Sequence, residues 1–394
     1  MSAAEEKPLV VVRSLVYNHE PYLRNCLDGF VMQQTTFPFV AVVHDDCSTD
    51  GSAAILREYA EKYPHIIKPV YETENQYSKN DGSLRRAMDE ACGKYGAKYY
   101  ALCEGDDYWT DPHKLQKQVD FLEAHPGYTM VCCNCVMEMA DKRLTTHEDF
   151  VYEVWPHIDE SRDIAAEELI GCMGRMGHTA GLVYRSEVRQ LIPEAAMKCR
   201  NGDYKLQITA ALAGRVYHMR DSMFVYRYKT PGSWNARSEI FRGEKELYDY
   251  MSSFINMLDI FNEASGRKYE PSFHKAQETL VVRKLRQFPN AAEFILKHFG
   301  HILAFRRVSS YRPLNCGALV NLLLRACYHP YYPLPASRSL VNKAIRPFYT
   351  MDDNKGTFHI GPLNICSIVE SYSLVHVYIL GKMIHYALAS SLRR

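Results

Sequence analysis

Two spacings of apolar residues alternate along the first 125 positions. PLVVVRSLVY (Pro8–Tyr17) is an almost unbroken apolar run of strand length. In the next stretch, NHEPYLRNCLDGFVMQQ, Leu23, Cys26, Leu27, Phe30 and Val31 recur at helical spacing. Asn18 or His19 suits its cap and Pro21 its first turn. The alternation then repeats. FVAVVH (Phe39–His44) reads as a strand, AAILREYAEKY as a helix, HIIKPVYE as a strand, SLRRAMDEACGKY as a helix and KYYALCEG as a fourth strand. TDPHKLQKQVDFLEAH opens on Thr-Asp-Pro capping chemistry and carries a stripe of Leu115, Val119 and Leu122. Strands and helices in alternation, joined by short loops, predict a mostly parallel sheet covered on both faces.

From about Ala180 the pattern reads strand (GLVYRSEV), helix and strand (NGDYKLQITAALAGRVYHM), then a further strand and a Gly-Ser loop (SMFVYRYKTPGSW). From about Glu239 the chain turns mainly helical, with a Pro-rich break at YHPYYPLPASR. The expected division is residues 1–238, with a ligand half of about 8–125 and an acceptor half of about 126–238, followed by a helical region, 239–394.

Charge sharpens that division. The 394 residues carry a net charge of +1, which gives no global field for a nucleic-acid partner. Residues 1–240, however, hold 27 Lys and Arg against 35 Asp and Glu, and residues 241–394 hold 20 against 11. An acidic half and a basic half suggest two jobs. Twelve cysteines match no disulfide framework. CCNC (Cys132, Cys133, Cys135) lies in the apolar run YTMVCCNCVMEM with no second pair at zinc spacing, so buried free thiols in a reducing cytosol are expected. The opening MSAAEEKPLVVV has no signal-peptide pattern, and no apolar run reaches the length of about 18 residues that a spanning helix needs.

The candidate chemistry lies in two aspartate pairs, Asp45-Asp46 and Asp106-Asp107. Both fall at the carboxyl ends of expected strands, where open α/β sheets bind ligands. Two carboxylates ~5 Å apart repel by about 3 kcal/mol at an effective dielectric near 20. Turn capping with Ser48 and Thr49 explains one pair at most. A divalent cation, Mn²⁺ or Mg²⁺, explains the cluster better, because such ions take one or two protein carboxylates plus phosphate oxygens. The inferred ligand is a nucleoside diphosphate held through a metal. No Walker loop and no GxGxxG is present, which argues against ATPase and dinucleotide functions.

Four segments in order, SLVYNHEPYLRNCLDGFVMQQ, VVHDDCSTDGS, ALCEGDDYWTDPHKLQKQVDFLE and GDYKLQITAALAG followed by VYRYKTPGSW, resemble the family 2 glycosyltransferases of the GT-A fold. The resemblance spans roughly residues 8–235. It implies a mixed, mostly parallel sheet flanked by helices, and an inverting transferase that uses nucleotide-sugars. It places Tyr17 against the base, Asp46 on the base, Asp106 on the ribose and Asp107 on the metal. The catalytic base of the family maps to Asp203 in NGDYKLQI, whose plainer reading is a helix cap. Trp109 is either a platform for a sugar ring or a packed core aromatic. Arg85 or Arg86 meets the diphosphate or lines a solvated helix face. His178 and Thr179 stand where the family lines its acceptor side. Many relatives carry a His after the YR strand. This chain has YRYKTPGSW, which leaves the third metal ligand open and offers Lys229 as a stabiliser of the leaving group. His218 reads as structural.

After residue 281 the tail holds 15 Lys and Arg against 4 acids, interleaved with aromatics. A membrane surface suits it, since acceptors in this family are often carried on lipid diphosphates, and so does self-association. The expected activity is transfer of a sugar, with a UDP-sugar as donor, to a glycan or lipid-linked acceptor. The expected place is the cytoplasm or the inner face of the membrane. The rivals are a sugar nucleotidyltransferase, which wants a Gly-rich basic loop after the first strand, and a non-catalytic sugar-nucleotide or glycan-binding scaffold.

Overall fold

The first apolar run becomes β1 (Val10–Val16), buried almost throughout, and the first helical stripe becomes α1 (Glu20–Val31). These begin a computed structural model that describes residues 6–79, 81–138, 144–145, 157–199, 201–228, 244–286, 349–352, 357–360 and 363–364. The alternation continues through β2 (Phe39–Asp45), α2 (Ser52–Lys62), β3 (Ile67–Tyr71), a short α3 (Gln76–Lys79), α4 (Ser83–Gly93) and β4 (Tyr99–Leu102). There follow β5 (Tyr108–Trp109), α5 (Lys114–Ala124), β6 (Tyr128–Glu138), β7 (Leu144–Thr145), β8 (Arg162–Ile164) and α6 (Ala166–Gly171). The first unit closes with β9 (Val183–Arg185), α7 (Glu194–Met197), α8 (Gly202–Ala213) and β10 (Arg215–Arg227).

These strands form one mixed sheet in the order β3-β2-β1-β4-β9-β6-β10-β5. β1 pairs in parallel with β2 and β4, and β9 runs antiparallel between β4 and β6. Parallel β1, β2 and β4 all end at the same edge, so the Asp45-Asp46 and Glu104–Asp107 segments emerge there on either side of β1. The core beneath them is made by β1, α1, β2 and α5, with Leu23, Leu27, Phe30, Leu115, Val119 and Leu122 inside it. Gly29 lets α1 lie directly on β5: a Cβ there would stand 2.9 Å from the Trp109 backbone nitrogen.

Two readings change. RVYHM and SMFVYRY are one strand, β10, kinked by register shifts between Met219 and Val225 against β6. Trp109 is a core residue rather than an acceptor platform. It is 1% exposed, its indole N–H donates to the Ala180 carbonyl at 2.8 Å, and Phe30 packs edge-on at 5.0 Å. Cys132 and Cys133 are buried free thiols whose S–H groups donate to the carbonyls of Met176 and Gly181.

Lys114 is buried against Trp109, its Nζ donating to Gln118 Oε1 at 2.7 Å. Burial lowers it to about 8. The unfolded chain therefore binds the extra proton between about 8 and 10.5, and stability from this group rises with pH across that window. Denaturant titrations of the wild type and Lys114→Met should show the wild type gaining about 2 kcal/mol on the variant between pH 8 and 10. A difference independent of pH would refute the burial argument.

The chain divides into two compact units, residues 1–241 with 256–276, and residues 242–255 with 277–394. The described elements after β10 are α9 (Glu244–Ala264), α10 (Glu270–Arg286) and a small antiparallel sheet of β11 (Tyr349–Asp352), β12 (Thr357–Ile360) and β13 (Leu363–Asn364). Among the described residues no helix is long and apolar enough to cross a membrane. Lys229 and most of the basic tail, including everything beyond Asn364, lie outside the described residues.

Candidate active site

The turn Glu104-Gly105-Asp106-Asp107 joins β4 to β5 and is pressed onto the end of β1. Its Gly105 N–H donates to the Leu15 carbonyl at 2.9 Å, and the Asp107 N–H closes the turn on the Glu104 carbonyl at 3.1 Å. A Cβ on residue 105 would sit 2.7 Å from His19 Nδ1 and 2.9 Å from Val16 Cγ2, so the close approach requires glycine. The glycine between the acids therefore seats the carboxylates against β1.

Asp107 is buried, and its Oδ1 accepts the Arg227 backbone N–H at 2.9 Å. Its Oδ2 lies 3.7 Å from His178 Nε2. His178 Nδ1 accepts from the Ala180 N–H, which leaves the proton of the neutral ring on Nε2, facing Asp107. Burial, with Tyr226 packed at 3.9 Å, lowers His178 to about 3, so the pair is not a salt bridge at neutral pH. Burial first, then the charges of Asp106 and Glu104, holds Asp107 well above the usual carboxylate range.

Glu104 was not singled out from the sequence, yet it joins the two candidate groups. It is exposed, but the protein around it, then Asp106 and Asp203, push it up to about 8. Asp203 lies in the first turn of α8 and is also raised. Partial desolvation by the protein around it is the main cause, opposed by the N–H groups of Tyr204 and Asp203 and by Lys205. The N-cap position of α8 belongs to Asn201, in the left-handed region at φ 65°, with no side-chain capping bond. The charges of Asp106 and Asp203 thus both act on Glu104, and those of Asp106 and Glu104 act on Asp107.

Arg227 was also missed, read only as part of a strand. Its Nη1 donates to the Asp106 carbonyl at 2.8 Å and its Nη2 to Asn25 Oδ1 at 3.0 Å, while Glu138 Oε2 lies 3.3 Å from Nε. With Tyr22 and Tyr108 against its guanidinium, it clamps the acid turn to α1 and β10. Arg227→Met removes the cation beside Glu138 and the donors to the Asp106 carbonyl and Asn25. Chemical denaturation should show a loss of about 3–5 kcal/mol. A change under 1 kcal/mol would show that the clamp is dispensable.

The other expected residues are spread along the same edge. Tyr17 is exposed just after β1. Buried Asp46 accepts the N–H groups of Gln76 and Tyr77 on its two carboxylate oxygens. Asp45 Oδ1 is buried with no hydrogen-bond partner. Arg86 is exposed and donates to the Asp81 carbonyl, and Arg85 pairs with Asp89, which also holds Arg13 and Arg189. Thr179 begins a 3₁₀ turn after His178. His218 is buried on β10 and lowered by burial to about 4.

A hard divalent cation suits this donor set. Asp107 Oδ2 lies 3.7 Å from the neutral His178 ring, and the neighbouring acids raise one another. Among the described residues no group of three or more His, Cys, Asp and Glu closes around one point.

Residues 14–186 match the family model described as Glycosyl transferase family 2. An uncharacterized protein of Mycobacterium tuberculosis is 34% identical over 224 residues, which are 57% of this chain and 60% of that protein. An uncharacterized glycosyltransferase of Nostoc is 27% identical over 214 residues, 54% of this chain and 62% of that protein. The chain spans about three-fifths of the length of these curated relatives. The crystal structure of Staphylococcus aureus TarS residues 1–349 in complex with UDP-GlcNAc is similar in fold, with a TM-score of 0.50 and 17% identity over 90% of this chain and 98% of that one. The mixed sheet with its flanking helices is the GT-A fold.

Proposed function

The chain belongs to glycosyl transferase family 2 through residues 14–186, and from that premise we propose that it is an inverting glycosyltransferase using a nucleotide-sugar, a UDP-sugar first among donors. One observation supports the reading: Asp106 and Asp203, 97 residues apart in sequence, both raise Glu104, the acid that opens the turn after β4.

Tyr17 faces the base, Asp106 the ribose, and Arg86 the diphosphate. Asp107 would hold a divalent cation, Mn²⁺ or Mg²⁺, which would supply positive charge beside the diphosphate. His178 and Thr179 border the acceptor. Asp203 takes the proton of the acceptor hydroxyl. The hydroxyl oxygen attacks the anomeric carbon opposite the leaving group, the bond to the phosphate oxygen breaks, and the configuration inverts. Lys229 follows β10 in sequence and is assigned to the leaving group. The acceptor is a glycan or a lipid-linked sugar in surface polysaccharide or glycoconjugate synthesis. The basic, aromatic tail assigns the protein to the inner face of a membrane or to self-association.

The test is a donor panel of UDP-, GDP- and dTDP-sugars with Mn²⁺ and with chelator, following nucleoside diphosphate release and thermal shift. One nucleotide class should stabilise the protein only with metal. No binding of any nucleotide with metal would overturn the proposal.

A further inference from the structure

Four large apolar side chains stand exposed among the described residues, and three of them gather at one edge. Tyr17 (36% exposed) follows β1, Tyr71 (38%) ends β3, and Tyr77 (61%) lies in the short α3 just beyond. Tyr71 is already covered, with the Arg57 guanidinium 5.1 Å from its ring centre.

The segment carrying Tyr77 is held from the end of β2 by buried polar groups. His44 Nε2 pairs with Glu72 Oε1 at 2.9 Å, and the Glu72 N–H donates to the Asp45 carbonyl at 3.0 Å. Asn75 Nδ2 donates to the Asp46 carbonyl at 3.1 Å. Asp46 directs both carboxylate oxygens at this turn, accepting the Gln76 N–H at 2.7 Å and the Tyr77 N–H at 3.0 Å. Its own N–H donates to the carbonyl of Val16, the residue before Tyr17, at 2.9 Å. One buried carboxylate residue therefore stands a single hydrogen bond from the backbone beside each tyrosine. Burying a carboxylate is costly unless its oxygens are bonded. Here that bonding fixes a surface turn whose largest side chain points to solvent and adds nothing to the core.

We propose that Tyr77 is a nucleobase-recognition residue, its ring forming with Tyr17 the two walls that take the planar base of the donor, and that Asp46 acts on the base by positioning Tyr77. The assignment rests on the nucleotide-sugar reading above. An aromatic wall suits any base, because every base offers a π-face.

The full chain is titrated calorimetrically with UDP, GDP and dTDP, and separately with inorganic diphosphate, all with Mg²⁺. Tyr77→Ala should weaken the preferred nucleoside diphosphate about 5- to 100-fold. Inorganic diphosphate should bind as before, Tyr77→Phe should stay within about twofold, and thermal unfolding should not move. Asp46→Asn should weaken the nucleotide selectively, and the double variant should add little to Tyr77→Ala. Unchanged nucleotide affinity in Tyr77→Ala, or equal weakening of inorganic diphosphate, would overturn the proposal. Failure of the wild type to bind any of the three nucleotides would instead overturn the donor reading beneath it.

Discussion

Asp203→Asn should lower kcat by about 10²- to 10⁴-fold while leaving donor affinity within about twofold. The substitution keeps the size and planarity of the side chain and removes only its ability to accept a proton. The N-cap position of α8 is held by Asn201, so the change leaves the helix start in place. Asp203 is exposed in the first turn of α8, yet partial desolvation by the protein around it raises its carboxyl above the ordinary range. A base with a raised value takes a proton more readily, and its rate falls as pH drops through that value. A second readout follows from the site. Asp203 is one of the charges that push Glu104 up to about 8, so removing it should move the Glu104 titration downward. A pH profile of donor binding in the two proteins would detect that shift. A loss of less than about fivefold in kcat would remove Asp203 from the base role and leave it a helix-terminal acid.

The sheet was legible because its strands are short apolar runs and its helices carry stripes of a different period. Asp45-Asp46 and Asp106-Asp107 were legible for the same reason, since acids at strand ends interrupt an otherwise apolar pattern. What escaped depends on contacts between distant segments. Glu104 read as the tail of a strand, and its role comes from Asp106 and Asp203 around it. Arg227 read only as part of a strand, and its bonds to the Asp106 carbonyl and Asn25 span 121 and 202 residues. Lys114 stood outside the apolar stripe of Leu115, Val119 and Leu122, yet α5 turns it onto Trp109. Trp109 had two readings that no periodicity separates, and the Ala180 carbonyl decides between them. The turn at Gln76–Lys79 has no helical stripe of its own, because Asp46 supplies its hydrogen bonds from β2.

Asp107→Asn should make the metal-free protein more stable near neutral pH while abolishing stabilisation by Mn²⁺ with nucleotide. The two effects have one cause. Burial and the charges of Asp106 and Glu104 hold the Asp107 carboxyl well above its ordinary value. A carboxyl raised on folding binds its proton more tightly in the folded state. Its stabilising contribution is therefore complete below the unfolded value, about 4, and is lost as pH rises through the folded value. Glu104, raised to about 8, follows the same sign over about 4 to 8. At pH 7.5 the wild type carries this repulsion, and the neutral amide relieves part of it while its oxygen still accepts the Arg227 N–H. The gain should be on the order of 1–4 kcal/mol by denaturant titration, the range for removing an unfavourable buried charge. It should shrink toward zero by pH 4. A divalent cation relieves the same repulsion in the wild type by compensating the charge, so metal with nucleotide should raise Tm more at pH 7.5 than at pH 5. In Asp107→Asn that increment should vanish at both. A variant less stable than the wild type at pH 7.5 would mean that Asp107 stabilises the fold, and its value as a metal site would lose its physical basis.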